Sequence, residues 1–228
     1  AEAKVIGLDP DTDLAVIKIE LDKLPVLPFK LSGNDVGDVV LAIGNPFGVG
    51  QTVTQGIVSA TGRSNLGINT YEDFIQTDAA INPGNSGGAL IDVAGNLIGV
   101  NTAIFSQSGG SLGIGFAIPA SVCQQILNSI LKDGRVVRGW LGISLTPNTG
   151  DEDVLTTKPV GITVADVLRD GPADVAGVKR GDKIIQVNDQ QISSASHLIN
   201  YVAMQAPESS ISLIVEREGK RQTLQVRV

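Results

Sequence analysis

Asn82-Pro83-Gly84-Asn85-Ser86-Gly87-Gly88 sets a single serine among glycines and runs straight into apolar Ala89-Leu90-Ile91. Glycine on either side lets the backbone take positive φ and lets a substrate carbonyl come close, and the amides of Gly84 and Ser86 can converge on a developing oxyanion. That chemistry is acyl transfer, with Ser86 as the nucleophile. The same composition also makes an ordinary turn, so the loop by itself decides nothing.

Two enzyme classes compete for this serine, because the residues also match the G-x-S-x-G elbow of α/β-hydrolases. An elbow needs a strand before the serine and a helix after it. Here Asn82-Pro83-Gly84 precedes, and Ala89–Val93 and Leu97–Val100 follow around the turn Ala94-Gly95-Asn96, which reads as a β-hairpin. A serine entering an antiparallel hairpin is the arrangement of chymotrypsin-like double barrels.

The elements that must hold the serine follow from the rest of the chain. With 228 residues and 42% hydrophobic content it can bury a sizeable core and has room for two domains. A net charge of −7 with scattered Lys and Arg offers no footprint for nucleic acid. No apolar run approaches the roughly 20 residues of a membrane span, and no signal peptide opens the sequence. Cys123 is the one cysteine, set among apolar residues, and reads as packed rather than reactive.

Strands are expected at Ala3–Gly7 and Leu14–Glu20, with the polar turn Asp9–Asp13 between them, so that Asp13 sits where turn meets strand. Further strands are expected at Val39–Ile43, Gln51–Ala60, Phe74–Thr77 and Gly113–Ile118. This spacing argues for antiparallel barrels, not βαβ units. The first helical period covers Ser121–Asp133, with a capping box from Ser121 and Gln124 and Gly134 as the stop. A domain boundary is placed at Arg138, giving domains 1–138 and 139–228. The second reads as an α+β module, with strands at Gly161–Leu168, Lys183–Val187, Ile211–Glu216 and Thr223–Val228 and helices at Ala173–Ala176 and Ala195–Met204.

Thr12-Asp13-Leu14-Ala15-Val16, Leu41-Ala42-Ile43-Gly44-Asn45-Pro46, Gln76–Asn82 and Gly84-Asn85-Ser86-Gly87-Gly88 together resemble HtrA (Deg) serine proteases. Gly142-Ile143, Ala173–Val178 and Gly181–Asn188 resemble a PDZ domain. A single PDZ module with short barrel loops is most similar to the stress-sensing bacterial branch, the DegS and AlgW type. The resemblance implies a mainly β fold, a chymotrypsin-like double barrel with its first barrel incomplete, followed by the PDZ domain. It makes Ser86 the nucleophile, the Gly84 and Ser86 amides the oxyanion hole and Asp13 the carboxylate that orients the base, with Ala80 and Ile81 at the substrate pocket. Asp78, two positions from Ala80, is read as fixing the loop.

The histidine of that triad is missing, since the only one present is His197, far downstream in the second module. Beside Leu198-Ile199 on a short helix, it reads as a solvated or groove residue. The protease domain is therefore expected to be N-terminally truncated and the chain inactive alone. The rival from another class is a pseudoprotease that only binds peptides.

The resemblance further implies that hydrophobic C-terminal peptides bind the PDZ module, with Leu141, Gly142 and Ile143 holding the carboxylate, a strand adding along Ile143 to Leu145, and Ile199 and Val202 lining an apolar pocket. Arg63, in a segment read as a surface turn, would relay occupancy through Gln76, with Phe47 and Phe105 packing as the active state forms. A homotrimer, the periplasm, an inner-membrane anchor and a membrane-embedded anti-sigma factor as substrate are implied in the same way. Gly109–Gly115 reads as a hairpin loop, not a phosphate loop, and neither nucleotide nor any other cofactor or metal is called for.

Overall fold

The computed structural model describes residues 1–106, 109–146 and 161–228. They form two compact units, Ala1–Val136 and Val137–Val228. The first opens with β1 (Ala3–Asp9) and β2 (Leu14–Ile19), an antiparallel pair forming its own two-stranded sheet. Six strands then close into an antiparallel barrel: β3 (Val39–Gly44), β4 (Thr52–Arg63), β5 (Phe74–Thr77), β6 (Ala89–Asp92), β7 (Leu97–Ile104) and β8 (Gly115–Pro119). The order around the ring is β3-β4-β5-β8-β7-β6, and β6 returns to β3 with Leu90 opposite Ala42. Inward side chains such as Val40, Val58, Ile75, Leu90 and Ile98 are at most 3% exposed and fill its interior.

Two strands run further than the sequence suggests. Arg63, expected in a surface turn, ends β4 opposite Phe74, because pairing with β5 carries the strand through Gly62, where φ is +70°. Strand β7 continues past Val100 to Ile104, paired with β8. Helix α1 (Ala120–Asp133) buries Cys123, Ile126 and Ile130. The expected capping box is absent: the helix starts one residue earlier, after Pro119, with no side chain capping it. Gly134, left-handed at φ +72°, stops it by donating its amide to Ile130. Ile130 fills the space left by Gly7, where a Cβ would lie 2.5 Å from Cγ2.

The described residues of the second unit form a six-stranded antiparallel sheet with two helices. Its strands are β9 (Ile143–Leu145), β10 (Ile162–Val167), β11 (Lys183–Val187), β12 (Gln190–Gln191), β13 (Ser210–Arg217) and β14 (Lys220–Arg227), and its helices are α2 (Pro172–Val175) and α3 (Ala195–Ala203). The path β14-β13-β11-β10-β9 leaves β9 on an edge, while β12 pairs with β11. Ile162, Val164, Ile184, Leu198, Leu213 and Val215 form the core. Asp182, 1% exposed, takes Arg217 through bonds of 2.6 and 2.7 Å. Burial alone would raise its pKa, but the guanidinium and the Lys179 amide outweigh that and hold the carboxyl below its usual range. No helix among the described residues is long and apolar enough to cross a membrane.

Candidate active site and peptide groove

Ser86 is exposed at the head of the β6–β7 hairpin, and its loop is held from both sides. Gly87 donates to the Asn101 carbonyl at 2.8 Å and Asn101 returns a bond to Gly88 at 2.9 Å, which staples the loop to β7. On the other side Phe47 donates to Pro83 at 2.8 Å and Asn45 to Gly84 at 3.2 Å. Only glycine fits at two of these points. A Cβ on Gly84, where φ is +104°, would overlap the Asn45 carbonyl oxygen, and one on Gly88 would overlap that of Ile43. The Gly84 and Ser86 amides have no backbone acceptor among the described residues, as donors aimed at a ligand oxygen require.

Ser86 and Asp13, 73 positions apart in sequence, meet through one residue. The Ser86 hydroxyl donates to the Thr102 carbonyl at 2.8 Å, and the Thr102 hydroxyl donates to Asp13 Oδ2 at 3.0 Å. All three line a cleft of about 520 Å³ that also reaches Cys123 and Leu127. Burial pushes the Cys123 thiol up to about 12, so at neutral pH it is a protonated, weak nucleophile. Thr102 lies two residues past the expected end of its strand, and nothing local in the sequence marks it.

Asp13 has a left-handed backbone at φ +59°. Its turn is tied internally by the Thr12 hydroxyl bonded to the Asp9 carboxylate, both buried. The β4–β5 loop grips it from outside: Asn69 Nδ2 donates to the Thr12 carbonyl and the Tyr71 amide to Asp11, each at 3.1 Å. That loop is gathered in turn by Glu72, 6% exposed, whose carboxylate accepts the amides of Leu66, Ile68 and Asn69 at 2.6, 2.5 and 3.0 Å.

The remaining expected residues fall unevenly. Ala80 is half-buried beside the Ser86 loop, its carbonyl accepting the Thr54 hydroxyl at 2.9 Å. Ile81 is 1% exposed in the barrel core, packed where Gly115 lacks a side chain, and offers a substrate no open surface. Asp78 holds the Ile57 amide at 2.7 Å, which fixes its own loop. Arg63 Nε donates to Gln76 Oε1 at 2.8 Å, so these two are directly paired. Phe47 and Phe105 are 68% and 64% exposed, their rings facing solvent.

In the second unit the Leu141 and Gly142 amides have no backbone acceptor among the described residues, while the Gly142 carbonyl accepts Leu168 at 2.8 Å. Ile143 and Leu145 pair with Val167 and Val164 on one side of β9, and no strand among the described residues pairs with its other edge. Ile199 is 47% exposed on α3, whereas Val202, 5% exposed, packs into the core. His197 lies on α3, its ring near the Ser193 hydroxyl at 3.4 Å.

The closed antiparallel barrel with its bridged Ser86 and Asp13, and the α+β module with an open edge strand, define a trypsin-like peptidase unit followed by a PDZ unit. Residues 1–100 match the model of the trypsin-like peptidase domain, and residues 139–228 that of the PDZ domain. A solved structure titled HtrA-type protease AlgW with tripeptide is 55% identical, with a TM-score of 0.80 over 99% of this chain and 76% of its own. The serine endoprotease from Yersinia pestis is 43% identical, with a TM-score of 0.65 over 99% and 74%. The chain belongs to the HtrA-type family of serine proteases. Among curated relatives, the probable periplasmic serine endoprotease DegP-like of Chlamydia trachomatis is 48% identical over 99% of this chain, and its Chlamydia pneumoniae namesake 52% over 96%. The chain spans less than half the length of these two, 46% and 45%.

Proposed function

We propose that the chain is the catalytic and peptide-sensing portion of a periplasmic HtrA-type serine endopeptidase, divided at Arg138 into a protease domain and a PDZ domain. The observation that carries this is the Ser86–Thr102–Asp13 bridge at the mouth of one cleft. Ser86 attacks a peptide carbonyl, the Gly84 and Ser86 amides receive the oxyanion, and Asp13 orients an imidazole that takes the serine proton and passes it to the leaving amine. Residues 1–136 contain no histidine, so on this reading the imidazole comes from a longer form of the protein and the 228-residue chain binds peptide without cleaving. Ala80, six positions before Ser86, puts no charge at the specificity pocket, which fits small aliphatic side chains.

On the same reading, C-terminal peptides of misfolded outer-membrane proteins that end in a hydrophobic residue add to β9 and present their carboxylate to Leu141, Gly142 and Ile143. Occupancy favours the active state through the Arg63–Gln76 pair, with Phe47 and Phe105 packing as it forms. This requires peptide to bind the active state more tightly than the inactive one. A homotrimer held at the inner membrane and cleaving an anti-sigma factor completes the DegS-like reading. Its support is the family, the peptide-bound state of the AlgW structure and the periplasmic placement named for the curated relatives.

The test is labelling with a serine-directed phosphonate, on the 228-residue chain and on a longer form carrying a histidine before Asp13. The longer form is expected to label, Ser86→Ala to abolish it, and Arg63→Ala to lose stimulation by peptide while still binding it. Labelling that survives Ser86→Ala overturns the nucleophile. A longer form that binds peptide but never labels makes the protein a pseudoprotease.

A further inference from the structure

The outer face of β9 and β10 carries a cleft of about 280 Å³ whose walls include Trp140, Ser144, Asp166 and Leu168. Ile143 and Leu145 pack against the core while Ser144 between them is exposed, so Ser144 points to the opposite face. Strand register sets Asp166 directly across from Ser144 and thus on that same outer face. Trp140 lies over Gly142, its indole Cη2 3.2 Å from where a Cβ would stand, and Trp140 and Leu168 are each 56% exposed. The Asp166 carboxylate accepts the Val167 amide at 3.0 Å and has no cationic partner among the described residues.

We propose that this cleft seats the penultimate side chain of a C-terminal peptide bound along β9, and that it selects arginine or lysine there. The inference rests on the reading that β9 takes such peptides. A strand pairing with the open edge of β9, its carboxylate at the Leu141 and Gly142 amides, puts its last side chain on the face of Ile143 and Leu145. The residue before it then falls opposite Ser144 and on the outer face, since side chains alternate with period two.

Length and charge select what enters. Adjacent strands lie about 4.8 Å apart, so Asp166 stands roughly 10 Å from the peptide backbone with Ser144 between. Serine is small enough to be crossed, and only a long side chain crosses it. The methylenes of arginine or lysine lie along Trp140 and Leu168 while the charged head reaches Asp166. Arginine is favoured over lysine, because a planar guanidinium both stacks on an indole and pairs with a carboxylate in a fork. A glutamate in the same place meets Asp166 with like charge.

The experiment is fluorescence anisotropy of the 228-residue chain with fluorescein-labelled decapeptides that differ only in their last two residues: Arg-Phe, Lys-Phe, Ala-Phe and Glu-Phe, with an Arg-Phe amide as control. At low salt the Arg-Phe peptide is expected to bind about fivefold more tightly than Ala-Phe, a gap that narrows as salt is added. Lys-Phe falls between these two, and Glu-Phe binds most weakly. Asp166→Asn should remove the preference without weakening Ala-Phe, and Asp166→Lys should reverse the order of Arg-Phe and Glu-Phe. Equal binding of the Arg, Ala and Glu peptides, or a preference that survives Asp166→Asn, overturns the penultimate-residue assignment and leaves peptide binding intact. If no free-acid peptide binds, or the amide binds as well as the acid, peptide capture itself fails and the subsite falls with it.

Discussion

The Ser86 loop and the Asp13 turn both place a candidate catalytic side chain on or beside left-handed backbone, yet they are built from different materials. Around Ser86 the unusual conformations belong to Gly84 and Gly87, at φ +104° and +84°, and the fixing bonds are backbone to backbone. Around Asp13 the unusual conformation belongs to the aspartate, and carboxylates do much of the fixing: Asp9 within the turn and Glu72 through the loop that grips it. An aspartate in the left-handed region costs about 1 kcal/mol, so such a turn lasts only while its partners hold it. The glycine loop fails by collision, whereas the carboxylate turn fails by loss of a partner.

Substituting the glycines sharpens that contrast most. Gly88→Ala drives a Cβ into the Ile43 carbonyl and Gly84→Ala adds conformational strain to a similar overlap, so each should cost about 3 kcal/mol of barrel stability in urea unfolding and abolish labelling of the longer form. If Gly84→Ala unfolded and labelled like the parent, the steric account of the serine loop would be wrong. Next comes Glu72→Ala, which strips three amides of one acceptor and should cost about 2 kcal/mol, with faster hydrogen exchange at Leu66, Ile68 and Asn69. Protection at those amides unchanged from the parent would place the loop's stability elsewhere.

Thr102→Val removes the hydroxyl bonded to Asp13 but leaves the carbonyl that takes Ser86. The longer form should lose about tenfold in kcat, with KM little changed and Thr102→Ser restoring the rate, as expected for a hydrogen bond to a charged group. An equal loss in the serine variant would point to packing instead. The smallest effect is expected at Asp92, whose carboxylate gathers Asn96 and Ala94 in the hairpin turn behind the serine. The Asn96 side chain and amide, then the Ala94 amide and Lys30 at 3.5 Å, hold its pKa below the usual value against a partial opposition from burial. A lowered folded-state pKa means the stabilisation is complete above the ordinary carboxylate value near 4 and drains away as pH falls through the depressed one. Asp92→Asn should therefore cost about 1 kcal/mol at pH 7 and progressively less on acidification. A loss independent of pH would assign the effect to shape, not charge.

The same contrast explains what the sequence disclosed. A glycine required by a close approach leaves a local signature, so Gly84 to Gly88 marked a candidate nucleophile loop, which the segments after it favoured over an ordinary turn. The hairpin after it was equally plain from Ala94-Gly95-Asn96. Thr102 carries no such mark, because a threonine in a strand gains its role only when the barrel brings it between residues 16 and 89 positions away. Glu72 and Asn69 act on a turn nearly 60 residues upstream. The helix start was misplaced because Ser121 and Gln124 have the right spacing for a box, while Pro119 ends the preceding strand and lets the helix begin at once. The cleft at Trp140, Ser144, Asp166 and Leu168 depends on a register that no single segment encodes.

Strand β9 is three residues long. An edge strand with unpaired amides is a template for stacking one copy of a protein on another, and long flat edges invite aggregation. Three residues supply too few ladder bonds to hold a foreign strand without further anchors, so what stays there must also bring a terminal carboxylate or a side chain that finds its own seat. Shortness thus works against stacking of one copy on another, and on the function proposed above it suits the edge to chain ends instead of strands in general.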